Sequence, residues 1–237
     1  MIIARTFQKL SVLWAISVLS VSVVGEELYR IVPHEKWKTV FEENFLKVEP
    51  GELPEAFLVM DGGWQVAGDD AESRTARIPG TPLDRFGFLF GDYYEPGTAV
   101  LATFEASRKG RISPSFSVGL YGIGGYHLRV SPAKRKLELV LEDEIIAESE
   151  YRWTGSGKET QVELLVVPIS ETGPWHVEGR VWIKGELRPE KPTITFDSME
   201  EPYSGQASVW VTPYSGTPVN VDNINVFEVG GTVLDSQ

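Results

Sequence analysis

From residue 40 onward, apolar and polar side chains exchange places at every second position in short runs. The clearest lie at 40–45, 99–106, 115–121, 126–130, 136–141, 161–167, 175–183, 193–196, 207–211 and 219–229. A period of two puts successive side chains on opposite faces of an extended chain, so each run predicts a strand with one buried face. Breaks rich in turn residues separate the runs, among them Gly62-Gly63, Pro96-Gly97, Gly124-Gly125 and Gly173-Pro174. Short strands at such regular spacing predict antiparallel pairing through turns rather than helical crossovers. The expected fold is all-β, an antiparallel two-sheet sandwich of jelly-roll type. One stretch breaks the rhythm. Residues 74–94 carry Ile78-Pro79-Gly80-Thr81-Pro82-Leu83 and Phe86-Gly87-Phe88-Leu89-Phe90-Gly91 and read as a long irregular loop leading into an edge strand, with the phenylalanines packed at a rim.

The first residues follow a different logic. Arg5 and Lys9 precede an apolar run at 10–24, and Val23 and Gly25 occupy small-residue positions ahead of Glu26. This order predicts a cleavable signal peptide over 1–25, the apolar run being shorter than the roughly 20 residues a spanning helix needs. The partition that follows is a signal peptide at 1–25, a lead-in at 26–38, a β-sandwich domain at 39–229 and a tail at 230–237. The expected location is periplasmic or extracellular, with no membrane association once the signal is removed.

Charge and composition narrow the partners. The chain has 34 acidic and 22 basic residues, a net charge of −12, and loss of Arg5 and Lys9 with the signal makes it about −14. Such a surface repels phosphate backbones, which argues against nucleic acid and anionic lipid. There is no cysteine and no Asn-x-Ser/Thr acceptor, a combination that reads as a bacterial exported chain. Catalytic motifs are missing: no Gly-x-Ser-x-Gly occurs, and His34, His127 and His176 lack metal-ligand spacing. Gly155-Ser156-Gly157-Lys158 leads into a strand rather than a helix, so it is no phosphate loop. Glu138, Glu142, Asp143, Glu144 and Glu148 read together as the solvated face of a hairpin.

Several short segments carry a family resemblance. They are Phe41-Glu42-Glu43-Asn44-Phe45, Gly63-Trp64-Gln65-Val66, Trp153 ahead of the 161–167 run, Val177-Glu178-Gly179-Arg180-Val181-Trp182 and the closing Val221-Asp222-Asn223-Ile224-Asn225-Val226. In order and spacing the chain resembles the concanavalin A-like lectin/glucanase superfamily, including its LamG-like exported jelly rolls. That architecture hosts lectins, carbohydrate-binding modules, hydrolases, lyases and adhesion modules, so the resemblance implies fold more than activity. The paired glutamates that a glucanase of this kind carries on one strand, Glu-x-Asp-x-(x)-Glu, are absent. The resemblance also implies that the first and last strands pair. Glu43 would share a face with Phe41 and Phe45, and Asp222 with Ile224 and Val226, making the two acids candidate ligands for a structural calcium; the alternative is that each accepts backbone N–H groups. No other cofactor is required.

Sugar recognition would need an aromatic surface beside polar groups. Alternation over 175–184 puts His176, Glu178, Arg180, Trp182 and Lys184 opposite a core face of Trp175, Val177, Gly179, Val181 and Ile183. Glu178, Arg180 and Trp182 are therefore expected on a partly wet concave sheet. Tyr126, Tyr203, Trp210 and Tyr214 are further candidate ligand residues. The leading reading is an exported non-catalytic β-sandwich module associated with polysaccharide or glycan or with extracellular matrix. Two alternatives stand beside it: a glycan-active hydrolase or lyase with Glu178 as the first suspect acid, and a structural or protein-interaction module with no small-molecule site.

Overall fold

The computed structural model describes residues 34–80, 84–169, 174–214 and 216–229. The expected signal peptide, most of the lead-in and the tail lie outside the described residues. The strands form two antiparallel sheets. The first runs β13 (Ile194–Ser198), β12 (Trp175–Ile183), β11 (Lys158–Pro168), β6 (Thr98–Ala106), β15 (Val219–Glu228), β4 (Thr75–Ile78) and β3 (Gln65–Ala67), with β1 (Lys38–Glu43) also paired to β15. The second runs β10 (Glu144–Glu150), β9 (Lys136–Leu141), β8 (Tyr126–Ser131), β7 (Ser115–Leu120), β14 (Gly205–Thr212), β5 (Phe86–Tyr94) and β2 (Phe57–Asp61).

The inner faces meet as a two-layer sandwich, because alternation gives each strand one apolar side to bury. Val162, Leu164 and Val166 of β11 and Val177 and Val181 of β12 face Leu128 and Val130 of β8 and Leu137 and Leu139 of β9 in one apolar cluster. Gly179 makes the close approach between sheets possible: a Cβ there would lie 2.5 Å from Leu128 Cδ1. Phe104 stacks on Phe116, and Trp153 closes that end with its Nε1 donating to Thr160 Oγ1 at 3.0 Å. The first and last strands do pair, Lys38 opposite Glu228 and Glu43 opposite Ile224.

Three expectations are corrected. The stretch 74–94 is not a loop reaching an edge strand, for β4 lies within it and β5 sits between β14 and β2. Phe88 and Phe90 are fully buried core residues, and the alternation was hidden because glycines and Leu89 fill the outer positions. The closing strand does not alternate throughout. A bulge between Asp222 and Asn225, with Asn223 at φ 47°, lets Val221 and Ile224 both face the core, so Asp222 leaves the face it was expected to share with Ile224. The acidic hairpin is solvated at its turn, where Glu142 and Asp143 both adopt positive φ as a two-residue primed turn requires. Glu138, however, is only 1% exposed.

Candidate functional site

The buried Glu138 marks the outer face of the second sheet. Cross-strand register aligns Glu138 of β9 with Arg129 of β8, Arg129 with Ser117 of β7, Ser117 with Trp210 of β14, and Trp210 with Gly87 of β5. All five occupy the outward positions of their strands, since their neighbours Leu139, Leu128, Val118, Val209 and Phe88 are core. A second row beside it joins Lys136 to Ser131 and Ser115 to Thr212. Ser117, Arg129 and Trp210 of the first row and Ser115, Ser131 and Thr212 of the second floor a groove of about 260 Å³ walled by Arg85, Tyr214 and the turn at Pro132, Ala133 and Lys134.

Its polar atoms are unevenly satisfied. Glu138 accepts from Arg129 Nε at 2.7 Å and Ser131 Oγ at 2.6 Å through one oxygen, and from Lys134 Nζ at 2.9 Å through the other. Burial works to raise its pKa, yet the donors Ser131, Lys134 and Arg129 together outweigh it and hold the carboxyl below its ordinary range. Glu138 therefore stays ionised and orients the donors around it. Trp210 packs closely on two neighbours: a Cβ on Gly87 would fall 2.3 Å from its Cε3, and the Arg85 guanidinium sits over its ring, 4.4 Å from the centre. Its Nε1–H is buried without a hydrogen-bond partner among the described residues. Arg85 is steadied by Asp143 at 3.2 Å. The next row outward holds His127, whose Nε2 lies 2.8 Å from Ile123 O and whose burial pushes its pKa down to about 4.

The outer face of the first sheet is differently built. Glu178, Arg180 and Trp182 are brought together on β12, but at 6%, 5% and 7% exposure they do not form the wet concave surface expected from alternation. Residues 184–193 fold back over them: Arg180 donates from Nε to Pro189 O at 3.1 Å and from Nη2 to Glu190 O at 3.3 Å. Its Nη1 lies 2.6 Å from Glu178 Oε2 and 3.4 Å from Glu163 Oε1, and Arg188 grips Glu163 at 2.7 and 2.6 Å. Trp182 belongs to a second apolar cluster with Trp37, Leu101, Leu165 and Phe227. His176 completes the network by reaching Glu178 and Asp197. The Glu178 bond raises the His176 pKa against the opposing effect of burial, with Asp197 adding to the rise. Burial works to raise the Glu178 pKa, but His176 and Arg180 outweigh it and hold the carboxyl low.

The remaining candidates fall elsewhere. Tyr214 joins Trp210 in the groove. Tyr126 and Tyr203 meet instead at a smaller cavity of about 180 Å³ with Glu142, Glu200 and Glu201, where Tyr126 is core and Tyr203 is 85% exposed. Glu43 accepts from Phe45 N at 2.6 Å, and Asp222 Oδ2 accepts from Asn223 Nδ2. Burial raises the Asp222 pKa. Among the described residues no group of three or more His, Asp or Glu side chains gathers at metal-binding distance. Arg85, Ser117, Arg129, Lys134 and Glu138 were not singled out as ligand residues from sequence. The signal for them was present in Tyr126-His127-Leu128-Arg129-Val130-Ser131, where polar residues alternate with core ones, but register alone shows which strands lie alongside.

No family model and no curated protein matches the chain. Solved structures do. A Bacillus subtilis protein of unknown function with a galectin-like fold superposes with a TM-score of 0.55 at 10% identity, covering 85% of this chain and 98% of that one. The exoplasmic/lumenal domain of VIP36, in its Ca2+/Man3GlcNAc-bound form, gives 0.54 at 7% identity over 75% and 85%. The metal-free carbohydrate recognition domain of Emp46p gives 0.53 at 9% identity over 82% and 99%. The fold is a lectin-like jelly roll. At these identities the likeness establishes architecture alone.

Proposed function

We propose that this chain is an exported, non-catalytic carbohydrate-binding module that holds a glycan in the groove over Trp210. The observation that carries this reading is the pair of cross-strand rows from which Ser117, Arg129 and Trp210 line a groove large enough for a sugar ring. Ser115, Ser131 and Thr212 add hydroxyls that both donate and accept, which suits the hydroxyls of a pyranose. Tyr214, 41% exposed, supplies the accessible aromatic face that Trp210, 8% exposed, does not. The carbohydrate-recognition role of similarly folded proteins, such as the Emp46p domain, supports the same class of ligand. Export rests on the N-terminal sequence pattern at 1–25. The non-catalytic reading rests on Glu138, whose oxygens are both committed to donors and whose lowered pKa makes it a poor proton donor near neutrality.

The test is a glycan array with the full chain, followed by titration of intrinsic tryptophan emission and an assay for new reducing ends. Saturable binding to at least one glycan without cleavage is expected. Silence across neutral and acidic glycans alike would remove the proposal, and cleavage would transfer it to the hydrolase reading.

A further inference from the structure

The groove has a chemical bias that a generic sugar site does not require. Its charged side chains are Arg85, Arg129 and Lys134, on a chain whose net charge is −12. The carboxylate beside it, Glu138, has both oxygens engaged by Arg129, Ser131 and Lys134 and offers none to a ligand. Arg129 reaches Glu138 through Nε, which leaves its two terminal nitrogens uncommitted among the described residues. Arg85 commits Nη1 to Asp143, and its Nε and Nη2 have no partner among the described residues. Trp210 adds one more N–H that is buried and unpaired, in a residue only 8% exposed. Indole nitrogen, guanidinium and ammonium donate and never accept. A neutral sugar's hydroxyls can accept from these groups but leave the charge of such a set unmet. An acceptor-rich anionic group matches it.

From this excess of donors we infer that the groove selects an acidic glycan, one whose bound sugar carries a carboxylate or sulfate group directed at Arg85 and Arg129. This rests on the glycan-binding reading above and adds the ligand's charge to it. A carboxylate or sulfate seated in the groove is screened from the repulsion of the acidic remainder of the surface by the cations around it. A guanidinium pairing with a carboxylate or sulfate gains geometric specificity as well as strength, because its planar fork matches two acceptor oxygens.

Three probes of equal length decide the matter by calorimetry on the full chain: oligogalacturonate, the neutral galacto-oligosaccharide made by reducing its carboxylates, and a sulfated galactan oligosaccharide. At least one charged probe should bind about tenfold or more tighter than the neutral one, and the advantage should shrink as salt is raised. Which charged probe binds tighter identifies the anionic group. Arg85→Ala should remove most of the advantage and Arg85→Lys should retain part of it, with the melting temperature of each variant showing that the fold persists. If the neutral probe binds as tightly as both charged ones, the inference is overturned while the glycan-binding reading stands. If none of the three binds but the array finds another neutral glycan, the inference again falls alone; if no glycan binds at all, both fall. A charge preference unchanged in Arg85→Ala would overturn the assignment to this groove.

Discussion

The two outer faces of the sandwich are built from the same kinds of residue and end in opposite states. On the first sheet, Glu163, Glu178 and Arg180 pair beneath residues 184–193, from which Arg188 reaches down to Glu163, and Trp182 is packed against Trp37 and Phe227. On the second, Arg85, Arg129 and Trp210 retain donors that no described residue uses. An Arg, a Glu and a Trp alternating along a strand therefore do not define a binding face. What decides is whether the chain itself returns to cover them. Where it does, ion pairs become internal cross-links; where it does not, unmet hydrogen-bonding capacity remains for a ligand.

The comparison is broken most severely by attacking the closed face. Glu163 is fully buried and is the shared partner of Arg180 and Arg188, so Glu163→Ala takes the carboxylate from Arg188, leaves Arg180 to Glu178 alone and should cost about 3 kcal/mol in urea unfolding. Glycan affinity of the folded fraction should be unchanged. A loss of affinity at unchanged stability would mean that the closed face is the site.

The open face should respond in the reverse sense. Gly87→Ala places a methyl where the indole of Trp210 lies, within 2.3 Å of Cε3, and the ring must move. A shifted tryptophan emission maximum and a clear loss of glycan affinity are expected, with a stability cost of about 1–3 kcal/mol from overpacking. Affinity equal to wild type would show that the position of Trp210 is immaterial.

The closed face also has a pH signature. The lowered Glu178 pKa contributes stability that is present above its ordinary value of 4.5 and is lost as pH falls through the lowered one. The raised His176 pKa contributes stability that is present below 6.5 and is lost as pH rises through its raised value. The network is thus strongest between those ordinary values. In His176→Ala the decline in unfolding free energy above pH 6.5 should flatten, whereas an identical slope in the variant would exclude His176 as its source.

Much of the architecture was legible from residues alone. The strands at 115–121, 126–130 and 175–183 follow from alternation, that at 99–106 from a short apolar run between turn residues, and the core face of 175–183 from the first rule. Two kinds of information were not local. Glycine at outer positions, as in Gly87 and Gly91, erases the polar half of an alternation and made β5 look irregular. The bulge at Asn223 resets the phase inside β15, which moved Asp222 away from the face its neighbours predicted. The site was harder still. Glu178, Arg180 and Trp182 stood out because they lie on one strand, while Glu138, Arg129, Ser117 and Trp210 come from four strands and are joined only by register.

The smallest effect is expected where the first and last strands pair. Burial raises the Asp222 pKa, so the charged form is held at a cost, and Asp222→Asn should leave the melting temperature unchanged or slightly higher. A melting temperature that calcium raises and EDTA lowers, with the response abolished by this substitution, would instead establish a cation shared with Glu43.

The central contrast is tested most directly by parallel calorimetric titrations of Trp210→Phe and Trp182→Phe with oligogalacturonate and the neutral galacto-oligosaccharide. Each variant replaces an indole by a smaller ring, which reshapes the groove floor at Trp210 and leaves a packing gap in the closed face at Trp182. Affinity for whichever probe the unsubstituted chain binds should fall about tenfold in Trp210→Phe and stay within about twofold in Trp182→Phe. An unchanged affinity in Trp210→Phe, or the larger loss in Trp182→Phe, would contradict the assignment of the ligand to the open face of the second sheet.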